Sequence, residues 1–89
     1  IGFGNIGQEL ARIAAPLQMK LTAYDPYFNE AEGNALNVTS MSLDDLLTHA
    51  DYVVVCCGLN ADTHHLLNER RIALMKPNAF VINVARGPI

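Results

Sequence analysis

Near the start of the chain, in the stretch IGFGNIG, glycines stand at positions 2, 4 and 7. A turn that holds a diphosphate needs this spacing. Gly2 would let the backbone reverse tightly, Gly4 would let it come close to an anion, and Gly7 would let the following helix pack closely on a strand. The amides of Asn5 and Ile6, first in that helix, would face the anion at the positive end of the helix dipole. The spacing is informative only between a strand and a helix. Only Ile1 precedes Gly2, so the match is either accidental or part of a longer chain.

Asp25, in the stretch TAYDPY, lies about 20 residues further on, where a carboxylate accepts hydrogen bonds from the two hydroxyls of an adenosine ribose. Its negative charge would repel a 2′-phosphate, which favours NAD over NADP; the same Asp-Pro pair also reads as an ordinary turn. Cys56, Cys57 and Gly58 close the apolar run YVVVCC, and ligands of open parallel sheets gather outside such carboxyl ends. The thiols read as small buried hydrophobes whose backbone is free to line a pocket, since no neighbouring cation or further ligand would activate the sulfur. Arg86 follows the apolar run AFVINVA. Its planar fork could grip a carboxylate and polarise the adjacent carbonyl, or it could be a surface ion-pair partner. His49, His64 and His65 lack metal-ligand spacing, and no metal site is expected.

The elements that must position these residues alternate between helix and strand. Ile6, Leu10, Ile13, Ala14 and Leu17 recur at helical spacing and predict a helix over Asn5 to Leu17, with Pro16 near its end. Lys20 to Tyr24 reads as a strand closed by Asp25-Pro26. Residues 29–33 are helix-like or looped, and ALNVT is a brief further strand. Ser42 with Asp45 three residues later starts a helix that buries Leu43, Leu46 and Leu47 and ends near His49. DYVVVCC, apolar without alternation, predicts a parallel strand covered on both faces. Asn68 caps a short helix containing Ile72, Leu74 and Met75, a turn follows at Lys76-Pro77-Asn78, and AFVINVA is the last strand. The fold class expected is α/β, a doubly wound parallel sheet.

Eighty-nine residues allow one domain, and a formal charge of −3 offers no basic field to nucleic acid or an anionic membrane. No run of about 20 apolar residues is present. The two cysteines are adjacent and cannot join distant segments, so a reducing cytoplasm is expected.

Taken together, IGFGNIGQELARIAAPLQMKLTAYDPY, SLDDLLTHADYVVVCCGLNADTHHLLN and MKPNAFVINVARGPI resemble, in order and spacing, the NAD-binding domain of the D-isomer-specific 2-hydroxyacid dehydrogenases. The resemblance implies a Rossmann-type sheet, here incomplete. It matches Asn5 and Ile6 to the pair whose amides meet the pyrophosphate and Asp25 to the ribose acid. Cys57 and Thr63 match cofactor-lining positions, with Gly58 beside them, and Val84 and Ala85 match residues next to the nicotinamide. Arg86 matches the substrate-binding arginine, which also borders the cofactor. The family's Glu and His acid/base fall beyond Ile89, so residues 1–89 are expected to be part of an NAD-binding domain, cut just inside its first strand, with the substrate domain elsewhere.

The activity implied is hydride transfer between NAD(H) and a small 2-hydroxy or 2-keto acid, in a homodimeric parent enzyme. The alternative is a non-catalytic NAD(H)-sensing module of the corepressor kind. A β-hydroxyacid dehydrogenase ranks lower, because that group normally lacks the NVARGPI-like stretch. Cys56 and Gly58 replace the His and Pro of many members, and Val84 stands where a small polar residue is frequent.

Overall fold

Three helix starts are set by side chains that satisfy the first free amides. Asn29 accepts from the Glu32 amide and opens α2 (Glu30–Leu36), Ser42 accepts from Asp45 and opens α3 (Leu43–His49), and Asn68 accepts from Arg71 and opens α4 (Glu69–Ile72). The computed structural model describes residues 1–58, 60–85 and 89. Its first helix, α1 (Asn5–Ala14), follows Gly4 with no side-chain cap. The sequence predicts this helix to Leu17, but the last turn, Ala15–Leu17, tightens to 3-10 geometry. Pro16 is the reason, since it has no amide to continue the α-helical ladder.

The strands are short. β1 (Leu21–Ala23) pairs in parallel with β2 (Val38–Ser40), in the register Leu21 to Val38. Likewise β3 (Tyr52–Val55) pairs in parallel with β4 (Phe80–Asn83), in the register Tyr52 to Phe80. The first two residues of the chain join the pairs. The Ile1 N–H donates to the Val54 carbonyl and the Ile1 carbonyl accepts from the Cys56 N–H, both at 2.8 Å, while the Gly2 N–H donates to the Tyr24 carbonyl at 2.8 Å. Across the molecule the hydrogen-bonded order is therefore β2, β1, Ile1–Gly2, β3, β4. This is the parallel α/β arrangement of a Rossmann-type fold.

Two apolar clusters cover this sheet. Phe3, Ala11, Ala23 and Val38 pack with Phe28 and Leu36 beneath α1 and α2, while Ile1, Leu43, Leu46, Leu47, Val53 and Val55 form the cluster beneath α3. Phe3 stacks on Phe28 with ring centroids 5.0 Å apart, and Gly33 of α2 is so close to the Phe28 ring that a Cβ there would strike it. Ile1 and Phe3 thus place the glycine-bearing segment in both clusters.

Burial differs from the sequence expectation in β3, and α1 and β4 leave large apolar residues exposed. On α1 it is Gly7 and Ala11 that face the sheet, and Ile6, Ile13 and Leu17 are 60%, 65% and 67% exposed. The helix lies too near the strand for a larger residue at the contact. In β3, Val53 and Val55 are fully buried but Tyr52 is exposed, so this strand alternates instead of being covered on both faces. β4 is exposed at every residue. A largely apolar hollow of about 670 Å³ lies between β1 and β3, lined by Ala11, Ile13, Ala14 and Leu17 on one side and Leu46 on the other.

Leu47 is completely buried where α3 meets β3. Leu47→Ala is expected to lower the unfolding free energy by about 2–5 kcal/mol, read from the shift of a urea transition at unchanged slope.

Candidate nucleotide-binding site

In a parallel sheet all strands finish at one edge, and ligands of such sheets bind there. Here that edge carries Asp25 after β1, the Gly2–Gly7 turn, Cys56 to Gly58 after β3, and Val84 and Ala85 after β4. The three glycines prove unlike one another. Gly2 has φ +91°, and a Cβ on it would lie 2.8 Å from the Cys57 amide nitrogen and 3.0 Å from the Cys57 Cα. Gly7 sits against the Gly2 carbonyl, which a Cβ would strike. Gly4 has an ordinary φ of −85° and nothing within 4 Å of where its Cβ would be. Folding requires glycine at 2 and 7. At 4, the protein itself requires none.

The start of α1 is open in a second sense. No side chain caps it and no acidic residue occupies its first turn, whereas α2, α3 and α4 each have a cap and an acid there. The amides of Asn5 and Ile6 belong to that uncapped turn, where an anion would be stabilised by amide hydrogen bonds and the helix dipole together. Both residues are exposed, so a ligand can reach them.

Asp25 does more than its sequence position indicates. Its Oδ2 accepts from the Phe3 N–H and its Oδ1 from the Tyr27 N–H, both at 2.8 Å. A turn also closes from the Phe28 N–H to the Asp25 carbonyl. The residue builds the Asp-Pro turn that the sequence offered as one reading, and its carboxylate is pinned beside the glycine turn. Each oxygen keeps a further lone pair for a hydroxyl donor.

Burial is the main cause that pushes the Cys56 and Cys57 thiols up from their ordinary value, which disfavours the nucleophilic thiolate. Both cysteines are half-buried rather than the fully buried groups the sequence suggests, with the Cys57 backbone against Gly2. Gly58 is exposed, and its carbonyl accepts from Thr63 Oγ1 at 2.6 Å. Thr63 Oγ1 in turn accepts from the Asn60 N–H at 2.9 Å, so threonine and glycine close one loop. Val84 is exposed, with its N–H on the Val55 carbonyl, and Ala85 is half-buried, held through Asn83 Oδ1. The strand predicted to reach Ala85 stops at Asn83, where this side chain takes over the backbone bonding. Arg86 lies outside the described residues. Among those residues no group of three or more metal-ligating side chains is found.

Sequence reasoning missed two residues of the edge. Gln8 Nε2 donates to the Phe3 carbonyl at 3.1 Å and also to Glu32, so it braces the glycine turn against α2. Asn60 orders the loop that carries Thr63, accepting from the Asp62 and Thr63 amides. The Asn-x-x-Thr spacing was the available signal for the second.

Residues 1–89 match the family profile described as D-isomer specific 2-hydroxyacid dehydrogenase, NAD binding domain. The chain is 40% identical over 89 residues to a glyoxylate reductase of Pyrococcus horikoshii, covering all of this chain and 27% of that one. Its fold superimposes on the apo-structure of D-lactate dehydrogenase from Escherichia coli with a TM-score of 0.93 at 34% identity, over 98% of this chain and 27% of that one. D-lactate dehydrogenase from Aquifex aeolicus, solved with NAD and lactic acid, gives a TM-score of 0.91 at 36% identity, over 98% and 26%. The chain thus spans about a quarter of the length of these relatives.

The contrast between glycines is testable without any ligand. Gly2→Ala is expected to cost about 3 kcal/mol or more, because both the left-handed φ and the Cys57 backbone oppose it. Gly4→Ala should stay within about 1 kcal/mol of the parent. Paired denaturant titrations check both.

Proposed function

The chain belongs to the D-isomer specific 2-hydroxyacid dehydrogenase family, as its NAD-binding domain, and from that premise we propose that it is the cofactor-holding part of an enzyme interconverting a small 2-keto acid and its D-2-hydroxy acid. The observation that carries the reading is Gly4: a glycine the fold does not need, in open space, at the uncapped start of α1. Close approach of a pyrophosphate supplies the need that the protein lacks.

In this reading the Asn5 and Ile6 amides hold the pyrophosphate, and the pinned Asp25 carboxylate accepts from the ribose hydroxyls. Cys57, Gly58 and Thr63 line the middle of the site, with Val84 and Ala85 towards the nicotinamide. When bound, NAD(H) supplies or takes up a hydride. Arg86 grips the substrate carboxylate and polarises the keto group beside it, and a histidine outside residues 1–89 exchanges the proton. The substrate domain, the homodimer and a cytoplasmic setting form part of the same proposal. The relatives' greater length supports the substrate domain, and the two cysteines, neither in a disulfide, fit a reducing setting. No helix among the described residues is long and apolar enough to cross a membrane.

The direct test is NADH binding by the full-length protein, followed by turnover with glyoxylate, hydroxypyruvate and pyruvate. Gly4→Ala should weaken NADH binding at nearly unchanged stability. Equal affinity in the variant would remove the main support for the site.

Asp25→Ser should narrow the NAD-over-NADP ratio of kcat/KM by about tenfold or more, because charge-assisted bonds to the ribose disappear together with the repulsion of a 2′-phosphate. The same change should cost about 1–2 kcal/mol of stability as the Phe3 amide loses its acceptor. An unchanged ratio would leave Asp25 as a turn residue only. Arg86→Lys keeps the charge but loses the fork, so kcat/KM for the keto acid should fall on the order of a hundredfold with NADH affinity little changed. Weakened NADH binding with intact turnover would contradict the clamp.

A further inference from the structure

Arg71 sits on α4, away from the glycine turn, with 27% of its side chain exposed. Its Nη1 donates to the Leu66 carbonyl at 2.9 Å. Its Nε, buried and without a hydrogen bond of its own, lies 3.5 Å from Asp44 Oδ1 in the first turn of α3. The neighbouring Arg70 also reaches Asp44, at 3.3 Å, but from an exposed position and without touching the loop backbone. If the pair served only to join α3 to α4, Arg70 would suffice.

Leu66, whose carbonyl Arg71 holds, closes a strained turn through its amide. Leu66 donates its N–H to the Thr63 carbonyl at 3.1 Å, and between them His65 has φ +53°, a left-handed conformation that a non-glycine residue keeps only when its surroundings enforce it. Thr63 is the residue whose hydroxyl bonds to Gly58. One position beyond Leu66, the Leu67 N–H donates to the Ile89 carbonyl at 3.0 Å, which ties the turn to the segment after β4 as well.

We propose that Arg71 is a positioning residue for cofactor binding: braced by Asp44, it fixes the Leu66 carbonyl and thereby the turn that presents Thr63 beside Gly58. This rests on the reading of Thr63 and Gly58 as cofactor-lining. A lysine at position 71 offers one point charge in place of a fork, so it can satisfy the carbonyl or the carboxylate but not both in the same geometry.

The test is NADH titration of the full-length protein, with urea unfolding alongside to separate binding from stability. Arg71→Met should raise the Kd for NADH on the order of tenfold while kcat at saturating NADH stays within about twofold. Arg70→Met should leave the Kd unchanged, and Arg71→Lys should restore part of the loss. Combining Thr63→Ala with Arg71→Met should weaken binding no more than the worse single variant, because both act through one turn. If Arg71→Met does not fold, Asp44→Asn loosens the same brace and should raise the Kd by a smaller factor. Equal effects at 70 and 71, additive losses, or lowered stability with an unchanged Kd would overturn the proposal. If Thr63→Ala leaves the Kd unchanged, the proposal fails while NAD binding stands. If the parent protein does not bind NADH, the functional reading itself falls.

Discussion

The molecule depends on one approach of backbone to backbone, at Gly2. Its amide reaches Tyr24 on one side, its Cα lies against the Cys57 backbone on the other, and its carbonyl receives Gly7 of α1. A side chain at this point would separate β1 from β3 or lift α1 from the sheet. With Ile1 bonded to Val54 and Cys56, the short segment makes two strand pairs into one sheet. The carboxyl edge exists as a single surface because these contacts are so close.

A consequence is that binding chemistry and fold share atoms. The Asp25 carboxylate, proposed here to accept from a ribose, is also the acceptor for the Phe3 and Tyr27 amides. Two backbone anchors hold it in one orientation before any ligand arrives, so little side-chain entropy remains to be lost on binding. The opposite design appears at the start of α1, where the structure leaves the helix uncapped and Gly4 uncovered. Pre-ordered acceptor and unfilled donor are the two features on which the proposed dinucleotide site rests.

The exposed apolar residues follow from the same geometry. Small residues on α1 make the sheet contact, while Ile13 and, on the following turn, Leu17 border the hollow and Ile6 is exposed at the start of the helix. β4 carries Phe80, Val81 and Ile82 exposed, with Phe80 stacked on Tyr52 at 5.6 Å. Neither surface adds to the two clusters that hold the described residues together.

Much of this was legible along the chain. Strand and helix order, the caps at Ser42 and Asn68, the stop near Pro16 and the glycine spacing are local properties, set by backbone freedom and by side chains bonding to amides within three residues. The candidate site was legible where its residues act through their own backbone, as at Gly2, Gly4 and Gly7. Tertiary structure alone decided which apolar residues are buried, since periodicity marks a face of α1 but not how near the sheet lies. It also decided the second role of Asp25, the bracing by Gln8 and the reach of Arg71 to Asp44 on α3, the first two across 22 and 24 residues. Their partners are chosen by how the chain returns on itself, and that return is set by close packing around Gly2 rather than by any residue's neighbours in sequence.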